Sequence, residues 1–190
     1  MEFKKFKLFL KEDLRVFKLV FGSGILSSLY FPAFRVVFIF RLSQFFYSKR
    51  LLRPLSYLLT NINDLLHGVW ISPRVEIGKG FLPSHPRGII INPDTVIGEY
   101  CSLMQNVTIG GEKIIIGDYV EILSGAQIIN DKNHNQKLFV ENEAVIAAGA
   151  IVLSSVKANS VMAGVPAVQK KLRSSGEHWL QYRENQVENG

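Results

Sequence analysis

The chain has 190 residues, 47% hydrophobic and 20% charged, which excludes a disordered chain and allows one large domain with an appendage. A single cysteine, Cys101, excludes an internal disulfide and fits a reducing, cytoplasmic compartment. The net charge of +6 is uneven, with 11 Lys or Arg against 3 Asp or Glu in residues 1–54; a basic amino-terminal region on a mildly acidic body points to anionic lipid or to solubility of an apolar segment, and no nucleic-acid motif accompanies it.

Residues 3–21 read as a helix. Phe3, Phe6, Leu10, Leu14, Phe17 and Phe21 recur at helical spacing, with Lys4, Lys7, Lys11, Arg15 and Lys18 on an adjoining stripe. Such a basic amphipathic helix can lie on an anionic membrane, so peripheral contact through residues 1–22 is one expectation; packing of the same face on the body is the other. Gly22-Ser23-Gly24 breaks the helix. The uncharged run from Leu19 to Phe34 falls short of the roughly 20 apolar residues a spanning helix needs, and no cleavage site follows it. Residues 34–68 read as two helices broken near Ser48–Pro54. The expected organisation is a helical region over 1–69, a repeat domain over 70–168 and a polar tail over 169–190.

The repeat decides the fold. Aliphatic residues recur every six positions at Ile71 and Ile77; at Ile91, Ile97, Leu103 and Ile109; at Ile116, Ile122 and Ile128; and at Val140, Ile146 and Val152. Four residues after most of them stands a smaller one: Val75, Thr95, Cys101, Val107, Val120, Ala126, Ala144, Ala150 or Val156. Helices and flat sheets do not have this period. A chain turning a corner every six residues does, with the larger residue inside a narrow prism and the smaller beside it. Glycines after Ile77, Ile97, Ile109 and Ile116 suit corners of positive φ. This is a parallel β-helix of hexapeptide repeats, and Cys101 is one of its packing residues.

The period slips in three places. Ile77 to Ile91 holds two extra residues, Ile109 to Ile116 holds one, and residues 129–139 lack the pattern and should bulge as a loop. Loops excluded from a rigid solenoid are where chemistry is carried. Ile77-Gly78-Lys79-Gly80, Ser84-His85, Gly88–Ile91, Gln105–Gly111 and Ala163–Ala167 with Lys170 and Lys171 together resemble the serine acetyltransferase branch of the hexapeptide acyltransferases, with its polysaccharide-biosynthesis relatives. The resemblance covers about residues 33–172. It departs in three places. Ser84 stands where the family has Asp, Trp70-Ile71-Ser72-Pro73 replaces an Asp-Ile-His-Pro element, and Gly111 runs straight into Glu112, leaving out a loop with a second histidine.

The resemblance implies a left-handed coil, a trimer, and acetyl-CoA as donor without a metal. His85 matches the general base, which an imidazole can be at neutral pH. Its orienting partner would be Ser84, a backbone carbonyl or an acid from a neighbouring subunit. The donor's pantetheine arm would lie along Ala147, Ala148, Gly149 and Ala150 and along Ala163 and Gly164, and Lys170 and Lys171 would meet its phosphates. Corner packing and a solvated tail would use the same residues. Ser84 and His134 are candidates for the acceptor site, while His67 reads as a cation at a helix end. The departures favour a sugar hydroxyl in surface-polysaccharide synthesis as acceptor over serine. A non-catalytic binding solenoid is the remaining alternative.

Overall fold

The computed structural model describes residues 1–22, 29–130 and 136–188. Helices α1 (Phe3–Phe21), α2 (Pro32–Tyr47) and α3 (Arg53–His67) come first, with a 3-10 turn at Arg50–Leu52 where the break near Ser48–Pro54 was expected. Pro32 and Pro54 sit in first turns, where a missing N–H costs nothing. Gly22 and Gly68 end α1 and α3 in the left-handed conformation.

The apolar side of α1 faces inward. Val16 and Phe17 are buried with Ala33, Phe34, Leu82 and Leu180, and Leu10, Leu14 and Phe21 pack against them. Phe3 and Leu8 remain exposed. Packing on the body therefore takes most of the face offered for a membrane. No described helix is long and apolar enough to cross one. α3 is turned the other way round from its hydrophobic pattern. It buries Ser56, Thr60, Asn63 and His67 and exposes Leu55, Leu58, Leu65 and Leu66. The buried stripe is satisfied in part by α2: Ser43 Oγ lies 3.1 Å from Ser56 Oγ and 3.2 Å from Thr60 Oγ1.

From Val69 the chain is a parallel β-solenoid with three faces. The first stacks β1 (Val69–Ile71), β4 (Ile89–Ile91), β7 (Thr108–Gly111), β10 (Gln127–Asn130) and β13 (Ile151–Val152). The second stacks β2 (Glu76–Ile77), β5 (Thr95–Ile97), β8 (Ile114–Ile116) and β11 (Leu138–Val140). The third stacks β3 (Leu82–Pro83), β6 (Ser102–Leu103), β9 (Glu121–Ile122), β12 (Val145–Ile146) and β14 (Ser160–Ala163). The inward positions run in register: Ile71, Ile91, Ile109, Ile128 and Val152 on the first face, and Ile77, Ile97, Ile116 and Val140 on the second. On the third they are Pro83, Leu103, Ile122, Ile146 and Met162. All the aliphatic and small positions of the repeat are buried.

Four expectations change. The coil starts at Val69 because β1 pairs Val69 with Ile89. The loop expected over 129–139 is shorter, since β10 and β11 hold residues 127–130 and 138–140 in the sheets. The tail folds back: β15 (Val168–Leu172) pairs antiparallel with β14, and α4 (Trp179–Glu188) follows, its Leu180 buried beside α1. None of the glycines after Ile77, Ile97, Ile109 and Ile116 is at positive φ. Gly78 is required by stacking, because a Cβ there would lie 2.6 Å from the Gly98 carbonyl carbon and oxygen. Positive φ falls instead on other corner residues, Tyr100, Tyr119, Glu143 and Asn159 among them.

A buried ion pair ties the helices to the first turn of the coil. Arg41 of α2 donates to both Asp13 carboxylate oxygens of α1, at 2.8 and 3.2 Å, and to the Ile77 carbonyl at 2.7 Å. Asp13 also accepts from the Phe81 N–H at 3.0 Å. Arg41 and Asp13 are 0% and 2% exposed, so this full set of partners offsets the cost of burying the charges. The network ends four residues before His85.

Candidate active site

His85 lies in the five-residue corner between β3 and β4, where the two extra residues fall. Pro86 holds His85 out of the helical region. The corner is fixed by backbone bonds: Ser84 N to Leu103 O at 2.9 Å, Arg87 N to His85 O at 2.8 Å, Gly88 N to Gly68 O at 2.8 Å and Asn106 N to Arg87 O at 2.8 Å. Gly88 has φ 65°, and a Cβ there would meet Asn106 Oδ1 at 2.3 Å. The His85 side chain is exposed and has no hydrogen-bond partner among the described residues.

A cavity of about 530 Å³ opens beside it. Phe21, Phe31, Pro32 and Ala33, from the end of α1 and the start of α2, form its apolar wall. Ser84, His85, Pro86 and Arg87 line it from the corner, Gln105 from the next turn of the coil and His67 from the end of α3. His67 is not the cation expected. It is 5% exposed, and burial, reinforced by Arg35 and Arg87, holds its pKa below 6.5, so it is neutral at neutral pH. His67 Nε2 and Gln105 Oε1 are buried without a hydrogen-bond partner.

The corners between the third and first faces stack along one edge. Asn106 N bonds Arg87 O at 2.8 Å, Gly125 N bonds Gln105 O at 2.9 Å, Gly149 N bonds Ser124 O at 2.9 Å and Ile151 N bonds Gly164 O at 3.1 Å. Ala147, Ala148, Gly149, Ala163 and Gly164 therefore stand on the same edge as His85, three and four turns further along. At about 4.8 Å per turn that is an axial distance of roughly 14–19 Å. The corners change character along it, from His85-Pro86-Arg87 and Met104-Gln105-Asn106 to Ser124-Gly125, Ala147-Ala148-Gly149 and Ala163-Gly164. Ala148 and Gly149 are exposed, and a Cβ at Gly149 would meet nothing within 4 Å.

The other candidates scatter. Lys170 is the bulged residue of β15 and Lys171 pairs with Val161, which puts both on the third face, a few residues from the Ala163–Gly164 corner. Ser84 also lines a second cavity of about 610 Å³ beneath α4, with Met104 and Glu121, whose pKa burial raises. His178 is part of the folded carboxyl-terminal segment, stacked on Tyr119 at 4.1 Å between ring centroids. Cys101 is buried, 3.0 Å from the Gly117 carbonyl oxygen, and its pKa is pushed up to about 12, as a packing residue requires. His134 lies outside the described residues. Among the described residues no cluster of His, Cys, Asp and Glu could hold a metal. Arg87 and Glu121 were not singled out by the sequence, and neither His67 nor Gln105 was placed beside His85. Extending the repeat back by one turn would have found His67, because Gly68 stacks beneath Gly88 and so sets His67 in line with Arg87.

No protein-family model matches the chain. Serine acetyltransferase of Salmonella typhimurium is 31% identical over 140 residues, 73% of this chain and 51% of that protein. The chain spans about half the length of the curated relatives it matches. Among solved structures, Neisseria gonorrhoeae serine acetyltransferase in complex with serine superposes with a TM-score of 0.78 at 26% identity, covering 89% of this chain and 70% of that one. A serine acetyltransferase in complex with CoA gives 0.77 at 25% identity, covering 88% and 70%. By sequence and by fold, the chain belongs to the serine acetyltransferase-like branch of the hexapeptide-repeat acyltransferases.

Proposed function

We propose that the chain is an acetyl-CoA-dependent O-acetyltransferase with His85 as general base. The observation that carries this reading is the shared edge: a histidine with a free side chain at one end and corners of small residues in line with it. A relative of this fold solved with CoA supports the donor. His85 would take the proton of the acceptor hydroxyl as its oxygen attacks the thioester carbonyl. When the tetrahedral intermediate collapses, the C–S bond breaks and the imidazolium returns that proton to the leaving thiolate. The products are the acetyl ester and free CoA, and the histidine is regenerated. A backbone N–H of the corner edge would serve the oxyanion. Lys170 and Lys171 would meet the donor's phosphates from β15. Assembly as a trimer, which would cover the exposed edge at Ala148 and Gly149, belongs to the same proposal. So does contact of the basic face of residues 1–22 with anionic lipid.

For the acceptor, the comparisons support L-serine over the sugar expected from the sequence, since the relatives from Synechococcus elongatus and Salmonella typhimurium are serine acetyltransferases and a structure of this fold was solved with serine. The sugar hydroxyl stays as a second reading on one observation. The described residues lining the His85 cavity include no Asp or Glu to meet an ammonium group. Thiol release from acetyl-CoA with L-serine and with a panel of sugars and sugar phosphates tests this. Transfer to serine establishes the first reading and transfer only to a carbohydrate the second. No transfer to any of them, with no binding of acetyl-CoA, returns the chain to a non-catalytic solenoid.

A further inference from the structure

We infer that the acceptor carries an anionic group, and that Arg87 holds this carboxylate or phosphate beside His85; this rests on the cavity being the acceptor site. Three observations converge. Arg87 is exposed on the corner that presents His85, two residues away, and has no hydrogen bond or ion pair from its side chain among the described residues. The corner itself is held rigid by Pro86 and four backbone hydrogen bonds, so the guanidinium projects from a fixed base. Arg35 stands near the same cavity, its side chain donating to the Leu29 and Tyr30 carbonyls at 3.1 and 2.9 Å.

Both arginines disfavour protonation of His67, which lines the cavity with Arg87. Pro32 and Ala33 bring the positive end of the α2 dipole to the wall. The carboxyl end of α3 brings the opposite pole at His67 and Gly68, so the two arginines decide the sign. No described lining residue is acidic. A guanidinium binds carboxylate and phosphate oxygens in a fork. The unpartnered His67 Nε2 and Gln105 Oε1, with the Ser84 hydroxyl, are neutral groups in this lining to meet the acceptor's hydroxyls. Carboxylate and phosphate share this chemistry: an amino or hydroxy acid would bring the first, a sugar phosphate the second.

Calorimetric titration of the CoA-saturated protein with L-serine, glucose 1-phosphate and glucose separates these sources. An anion that binds with an affinity about 10- to 100-fold weaker in Arg87→Gln, and recovers in Arg87→Lys, is the expected result; the compound that binds names the source. In turnover the same variant raises KM for that acceptor and leaves kcat and the KM for acetyl-CoA near wild type. Glucose binding as tightly as its phosphate, an anion bound equally by Arg87→Gln, or no anion bound at all overturns the inference. Arg87-dependent anion binding without acetyl transfer contradicts the catalytic reading and leaves Arg87 as an anion site without an acceptor role.

Discussion

His67 and His85 border one cavity but differ in setting. His85 is exposed with a free side chain, whereas His67 is buried and held below its usual pKa of 6.5. The sign of the stability effect follows. Above pH 6.5 the imidazole is neutral in both folded and unfolded chains and contributes nothing to pH dependence. As pH falls through 6.5 the unfolded state takes up the proton first, so stability drops until the folded-state imidazole protonates too. Urea midpoints measured from pH 7.5 to 5 should fall with acid in the wild type, and less steeply in His67→Gln. Equal slopes would show that His67 titrates as if exposed. The two histidines also differed in legibility. His85 was visible because it interrupts a repeat. His67 was not, because a helix-end position says nothing about what covers it, and here α2 and the His85 corner do.

At the scale of elements, period six fixed the coil strand by strand, and each inward aliphatic found its partner one turn away. Helix orientation was harder to read. The leucines of α3 mark its hydrophobic side, yet its hydroxyl and amide stripe faces the body, because Ser43 on α2 supplies partners for Ser56 and Thr60. Nor does any local pattern pair Asp13 with Arg41, 28 residues apart. That pair gives the sharpest stability prediction. Asp13→Ala leaves a fully buried guanidinium without its carboxylate and should cost about 3–5 kcal/mol in chemical denaturation. Asp13→Leu combined with Arg41→Met should recover most of the loss, as replacing both charges removes the stranded one. A loss under about 1 kcal/mol in Asp13→Ala would mean that water reaches Arg41 and the anchor is not dry.

Over the whole molecule, the proposed function follows one edge of the prism. Helices α1 and α2 and the end of α3 wall the cavity at the His85 end, and the corners beyond Gln105 narrow to Ser, Ala and Gly. Ala148 is exposed there, so Ala148→Leu should leave the thermal midpoint within about 1 °C while raising KM for acetyl-CoA several-fold with little change in kcat. An unchanged KM would remove the donor from this edge. The stacking of the edge was readable from the repeat once its phase was known, since the small residues recur at one corner. The apolar wall and the arginines around His67 were not, because residues from α1, α2 and the coil meet there only through the tertiary fold.

The most direct test of the central claim is thiol release from acetyl-CoA by wild type and His85→Ala in the presence of the accepted hydroxyl compound, with acetyl-CoA binding measured on both. The account predicts that kcat falls by about 10²- to 10⁴-fold in the variant, the usual contribution of a general base, with acetyl-CoA affinity unchanged. A variant that turns over at the wild-type rate would contradict it.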